Sequence, residues 1–216
     1  MRLKSVYDRL YSEYGRQKWW PADHPFEVMI GAILTQNTAW TNVERALDNL
    51  KAANALSADS IINVKHNALA KWLRPSGYFN IKAQRLKDFC TWYVEQGAYK
   101  QLKHKHSVAL REKLLSVKGI GPETADDILL YAFSRKVFVI DAYTRRIFSR
   151  LGKVSAEEKY DVLRLMFEKE LSAETVKMYN EYHALIVRHG KEVCKTRPVC
   201  GGCCLRTICK RQGVKG

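Results

Sequence analysis

Residues Leu114–Ala125 have the sequence LLSVKGIGPETA, in which two glycines and a proline follow an apolar stretch. Gly119 and Gly121 permit a tight turn with exposed backbone amides, because neither residue has a Cβ in the way. Pro122 suits the first position of the helix that follows the turn. The free N–H groups at the start of that helix favour a phosphate oxygen as their partner. The stretch therefore predicts a helical hairpin, Leu114–Leu130, whose turn faces an anion.

The charge of the chain favours this interpretation over an ordinary turn between helices with a glycine cap. The 216 residues include 37 Lys and Arg against 22 Asp and Glu, which gives a net charge of +15. Folding does not need such an excess, and self-repulsion makes it mildly costly, so it indicates a polyanionic partner. Nucleic acid is the leading candidate. A membrane surface is the alternative, but no apolar run approaches the ~20 residues of a spanning helix.

Apolar residues recur at helical spacing along almost the whole chain, which predicts an all-α fold. Phe26–Leu34 is apolar on nearly every side and predicts a buried helix, whereas Lys136–Ile140 predicts an extended connector between helices. The other predicted helices are Thr41–Lys51, Ala68–Leu73, Ile81–Gln96, Ser107–Val117, Pro122–Phe133, Ala142–Leu151, Glu157–Leu171 and Ala173–Gly190.

Some twenty residues after the hairpin, the sequence VFVID at residues 137–141 places an aspartate behind a short apolar stretch. Hairpin and aspartate together resemble the helix-hairpin-helix DNA glycosylase superfamily, specifically its endonuclease III branch, and the resemblance extends from about Trp19 to Cys209. It implies a two-lobed fold with DNA bound in the cleft between the lobes. Residues 24–137 would form a six-helix lobe with the hairpin, and residues 1–23 and 138–216 the second lobe.

The resemblance makes Asp141 the catalytic carboxylate. Cleavage of an N-glycosidic bond builds positive charge on the sugar, as glycoside hydrolysis does. A carboxylate beside the sugar stabilises this charge and orients or deprotonates the attacking water. Asp141 is also expected to cap the helix that begins at Ala142.

Bifunctional members of the family carry a lysine two residues after the second hairpin glycine, and its amine forms a Schiff base that leads to strand cleavage. The matching residue here is Glu123, and a carboxylate cannot form an imine. The sequence therefore predicts a monofunctional glycosylase without AP lyase activity. We expect Lys118, Gly119 and Gly121 to contact DNA phosphate.

Three strings, WWP at residues 19–21, LTQNTAW at 34–40 and RPSGYFN at 74–80, resemble the 3-methyladenine DNA glycosylases of the endonuclease III type. N3-methylated adenine is cationic, so electron-rich rings can select it by stacking. Trp20 and Trp40 are the candidates for this base pocket. By the same resemblance, Gln36 fills the gap that the flipped base leaves in the DNA.

Five of the six cysteines lie within residues 194–209, which indicates a metal site rather than a disulfide framework. Cys194, Cys200, Cys203 and Cys209 are separated by five, two and five residues. Their spacing alone suits zinc and a [4Fe–4S] cluster equally well. The resemblance implies the cluster, and the gaps favour Cys203 over its neighbour Cys204 as the third ligand.

These expectations describe a monomer that acts on double-stranded DNA containing a damaged base. Because the N-terminal residues Met1–Asp8 lack the apolar region of a secretory signal, a cytoplasmic, nucleoid-associated protein is expected. One alternative is an endonuclease III-like glycosylase for oxidised pyrimidines or mismatched uracil or thymine, with or without AP lyase activity. Another is a non-catalytic iron–sulfur protein that binds DNA.

Overall fold

A computed structural model describes residues 1–214 of the chain. These residues contain no β-strand, and the predicted all-α class is confirmed. The chain divides into two compact units. We call residues 22–134 the hairpin unit, and residues 1–21 with the chain from Arg135 onward the terminal unit.

The hairpin unit is built around the buried helix α2. Its α-helices are α2 (Pro25–Leu34), α3 (Trp40–Ala52), α4 (Ala58–Asn63), α5 (His66–Trp72), α6 (Phe79–Glu95), α7 (Ala98–Leu102), α8 (Ser107–Leu115) and α9 (Pro122–Asp127). Every residue from Glu27 to Leu34 is buried, as the continuous apolar run predicts. Helix α2 packs against α3, α6 and α9, while α4 and α5 pack against α6. The short helices α4 and α7 were not predicted.

The hairpin itself consists of α8, a glycine turn and α9. Gly119 has a φ of +89°, in the left-handed region that favours glycine, and the side chain of Ile120 is buried beside it. Arg111 on α8 donates two hydrogen bonds, of 2.7 and 3.1 Å, to the carboxylate of the fully buried Asp126 on α9. The predicted helix is α-helical as far as Asp127 and continues as one π-helical turn over residues 128–132.

In the terminal unit, two helices pack against one long helix. It contains α1 (Leu3–Tyr14), α10 (Ala142–Arg150), α11 (Tyr160–Glu170) and α12 (Val176–Glu192). Helices α1 and α10 pack against α12. Phe138, Phe148, Phe167 and Tyr182 form an aromatic core, with ring centroids of neighbouring pairs 4.8–6.3 Å apart.

The connector Lys136–Ile140 is extended, as predicted, and its last four residues are buried. Helix α11 begins at Tyr160 rather than at Glu157, because the preceding residues form a turn. None of the helices described in residues 1–214 is long and apolar enough to cross a membrane.

Candidate functional site

Asp141 stands at the point where the buried connector ends and α10 begins. Its Oδ1 accepts hydrogen bonds from the backbone N–H and the hydroxyl of Thr144, both at 2.7 Å, so the expected N-cap is present. Its Oδ2 lies 3.6 Å from Nε2 of His183 on α12. Only 8% of Asp141 is exposed. One carboxylate oxygen is thus fixed by the helix, and the second faces an imidazole.

The electrostatic surroundings keep Asp141 ionised. Burial alone would raise the pKa of this carboxyl, because it penalises the charged form. The neighbouring His183 and the two Thr144 donors act in the opposite direction and outweigh burial, so the pKa lies below its ordinary value. A buried carboxylate that is anionic at neutral pH is suited to stabilising a cation or accepting a proton from water.

The hairpin turn carries the three residues predicted to contact phosphate. The side chain of Lys118 is exposed, whereas Gly119 and Gly121 are half-buried. A methyl group added at Gly121 would meet no atom within 4 Å, so this side of the turn is open. Glu123, which is predicted to match the lyase lysine of bifunctional relatives, is exposed in the first turn of α9.

Gln36 is held against the hairpin. Its Nε2 donates to the carbonyl oxygen of Gly119 at 3.0 Å and to Oγ1 of Thr124 at 2.9 Å. Its Oε1 accepts a hydrogen bond from Nη1 of Arg85 on α6. The structure thus brings together two regions predicted to contact DNA, the loop that carries Gln36 and the hairpin. It also places Arg85 beside them, a residue that the sequence analysis missed.

The two predicted pocket tryptophans belong to different units. Trp20 lies in the terminal unit, half-buried, with its ring edge-on to Trp19 at a centroid distance of 6.0 Å. Trp40 is half-buried in the hairpin unit, where it begins α3. Their roles in base recognition stay predictions.

The four predicted ligand cysteines share one pocket. Cys194, Cys200, Cys203 and Cys209 line one pocket, together with apolar side chains that include Val193 and Val199. The guanidinium of Arg150 lies 3.3 Å from Sγ of Cys194, and the backbone N–H of Arg211 donates to Sγ of Cys209 at 3.4 Å. The neighbouring Cys204 is not part of this lining, and burial raises its pKa to about 11.

The donor set of this pocket, four cysteine thiols, suits a [4Fe–4S] cluster or zinc. Within residues 1–214, no group of three or more His, Cys, Asp or Glu residues is arranged to hold a metal ion. Tetrahedral zinc requires four ligands within about 2.3 Å of one centre. A [4Fe–4S] cluster binds each thiolate to a different iron, so its four cysteines surround a volume instead of a point. Donors directed at the sulfurs, such as Arg150, also suit an anionic cluster.

The histidines of α12 have positions that the sequence did not reveal. His183 faces Asp141, although the two residues are 42 positions apart and no local pattern links them. His189 shares a 2.8 Å hydrogen bond between its Nδ1 and the hydroxyl of Tyr14, and its Nε2 lies 3.6 Å from Sγ of Cys203. Burial lowers the pKa of His189 to about 4, which keeps its imidazole neutral.

Comparison with known proteins gives a consistent assignment. The sequence profile of the HhH-GPD superfamily base excision DNA repair proteins matches residues 30–173. A candidate DNA repair glycosylase of Methanocaldococcus jannaschii is 46% identical over 210 residues, which cover 96% of this chain and 95% of that protein. Endonuclease III of Sulfolobus acidocaldarius is 30% identical over 187 residues, or 86% of this chain and 81% of that protein.

Among solved structures, the Helicobacter pylori 3-methyladenine DNA glycosylase MagIII, bound to 1,N6-ethenoadenine, is similar to this chain. It superposes with a TM-score of 0.79 at 31% sequence identity, covering 89% of this chain and 98% of that one. The profile spans more than half of the sequence, and the similarity to the M. jannaschii protein spans nearly all of it. The chain therefore belongs to the HhH-GPD superfamily of base excision DNA repair proteins, a family of DNA glycosylases.

Proposed function

We propose that this protein is a monofunctional glycosylase that removes an alkylated purine, 3-methyladenine, from double-stranded DNA. The observation that carries the proposal is the ionised, nearly buried carboxylate of Asp141 at the start of α10. The similarity to MagIII, which is a 3-methyladenine DNA glycosylase, supports the choice of substrate.

The proposed reaction is hydrolysis at C1′ of a flipped nucleotide. The bond between C1′ and the base nitrogen breaks, and its electron pair leaves with the base. Because 3-methyladenine is cationic in the nucleotide, it departs as a neutral molecule. The sugar takes up the positive charge, which Asp141 stabilises with its carboxylate. Water then bonds to C1′ and gives a proton to Asp141.

The remaining predicted residues recognise the DNA. Trp20 and Trp40 would stack on the cationic base, a contact worth ~2 kcal/mol when desolvated. Gln36 would fill the gap in the duplex, while Lys118, Gly119 and Gly121 contact the backbone.

The four pocket-lining cysteines, Cys194, Cys200, Cys203 and Cys209, would hold a [4Fe–4S] cluster. When bound, the cluster cross-links the C-terminal loop. Hydrolysis of a glycosidic bond transfers no electron, so the role of such a cluster would be structural.

A second candidate is an endonuclease III-like activity on oxidised pyrimidines, which the 30% identity with the S. acidocaldarius enzyme favours. A panel of duplexes carrying 3-methyladenine, 1,N6-ethenoadenine, an oxidised pyrimidine, uracil or a G·T mismatch separates the two. Excision of the methylated purine above all others is expected. Preferential excision of the oxidised pyrimidine would contradict the proposal.

Borohydride trapping on an abasic-site duplex tests the absence of lyase activity. We expect no covalent adduct from the wild-type protein, because Glu123 offers no amine. An adduct that is lost when one lysine is replaced would show that another amine performs the lyase step.

A further inference from the structure

In Gln36, the residue proposed to enter the DNA, both polar atoms of the side-chain amide are hydrogen-bonded in this structure. Its carbonyl oxygen accepts from Arg85, and its amino group donates to both Gly119 and Thr124. An amide that fills a gap in the base stack must exchange these three bonds for contacts with DNA. Insertion therefore requires an interaction that compensates for these bonds and allows Gln36 to leave the hairpin.

Arg85 is positioned to provide this interaction. Its aliphatic carbons and Nε pack directly on the turn, since a Cβ at Gly119 would lie 2.7–2.8 Å from them. Its hydrogen-bond partner Gln36 is a neutral amide. Across the described residues 1–214, no carboxylate is paired with the Arg85 guanidinium.

A second cation lies close by. Lys82 on the same helix is almost completely buried, and its Nζ donates to the carbonyl oxygens of Leu34 and Ser76 at 2.9 and 2.6 Å. Burial, followed by the positive charge of Arg85, lowers the pKa of Lys82 to about 8. This local excess of positive charge, beside the open turn, favours an anion as the partner of Arg85.

A phosphate oxygen is a stronger acceptor for guanidinium than a neutral amide carbonyl, because the hydrogen bond is then charge-assisted on both sides. We propose that Arg85 is a further DNA-binding and positioning residue: it binds a backbone phosphate at the hairpin and, in changing partner, releases Gln36 for insertion. The exchange couples binding of the backbone to filling of the base gap. This inference rests on the proposed role of Gln36.

Two measurements test the coupling. The first is the affinity for an undamaged duplex, by fluorescence anisotropy, as a function of salt. Arg85→Ala should raise Kd about tenfold at low salt and reduce the slope of log Kd against log salt by about 1. Arg85→Lys should retain most of the slope. Lys100→Ala, which removes an exposed charge on α7 of the same unit, serves as the matched control and should change Kd less.

The second measurement follows insertion. A duplex with a tetrahydrofuran abasic analogue opposite 2-aminopurine is mixed with saturating protein, and the fluorescence change is recorded by stopped flow. Gln36→Ala should abolish the change. Arg85→Ala should retain it at a rate equal to or above that of wild type, because the restraint on Gln36 is weaker. A merely structural Arg85 would instead weaken binding and insertion together.

Three results would overturn the inference. They are an unchanged salt slope in Arg85→Ala, a loss of insertion in Arg85→Ala as large as in Gln36→Ala, or a wild-type signal in Gln36→Ala. If Arg85→Ala does not fold, Arg85→Gln removes the same charge with a smaller loss of packing and is judged by the same results. Neither measurement depends on base excision. If the protein excises no base in the duplex panel, the proposed function is refuted, but the binding and insertion measurements still decide the role of Arg85.

Discussion

At the scale of single residues, the proposed chemistry depends on how Asp141 is held. Thr144 binds Oδ1 through both its backbone N–H and its hydroxyl, so one oxygen serves the helix while Oδ2 faces His183. Such donors favour the anionic form of a carboxylate. Since the pKa of Asp141 is lowered, its carboxylate form is present at neutral pH and is lost only as the pH falls through that pKa.

Replacing Thr144 with valine removes the hydroxyl donor and keeps the shape of the side chain. The pKa of Asp141 should then rise, moving the acidic limb of the pH–rate profile of single-turnover excision upward by about one unit. Thr144→Ser keeps the hydroxyl and is the matched control. An identical acidic limb in Thr144→Val and wild type would mean that this bond does not tune the carboxylate.

The choice between Cys203 and Cys204 is a second prediction at this scale. Cys203 lines the pocket with the other three cysteines, and Cys204 does not. Cys203→Ser should therefore lose iron and the broad visible absorbance of a cluster, while Cys204→Ser should keep both, with about four irons per chain. Colourless wild-type protein that contains zinc would refute the cluster.

At the scale of elements, the ion pair between Arg111 and Asp126 joins the two helices of the hairpin. Removing one member of a buried pair leaves an uncompensated charge, at a cost of about 3–5 kcal/mol. We expect Asp126→Ala to lower the free energy of unfolding in urea by about that amount. Asp8→Ala, which breaks an exposed pair with Lys4 on α1, should cost less than about 1 kcal/mol. Equal effects of the two variants would contradict the structural role of the hairpin pair.

The predicted and observed helices also show how much of the fold can be inferred from the sequence. Continuous apolar patterning correctly predicts α2, and the change to an extended connector before Asp141 follows from its run of branched and aromatic residues. Helices α4 and α7 have six and five residues, too few for a hydrophobic period to be visible. The serine that caps α4, Ser57, was the one available signal for it.

At the scale of the whole molecule, positive charge and the hairpin predict a polyanion-binding helical protein, and membership of a DNA repair family agrees with that prediction. The sequence does not reveal contacts between distant positions. Gln36 meets Gly119 across 83 positions, and Arg85 meets Gln36 across 49. Such contacts depend on how the helices pack, and local sequence patterns do not reveal this packing.

The catalytic role proposed for Asp141 can be measured by single-turnover excision of 3-methyladenine from duplex DNA, with wild type compared to Asp141→Asn. Asparagine also caps helices well, so this variant should keep α10 and the melting temperature while losing the charge. We predict that the folded variant binds the duplex and excises the base at least about a hundredfold more slowly than wild type. Excision at the wild-type rate by folded Asp141→Asn would contradict the account.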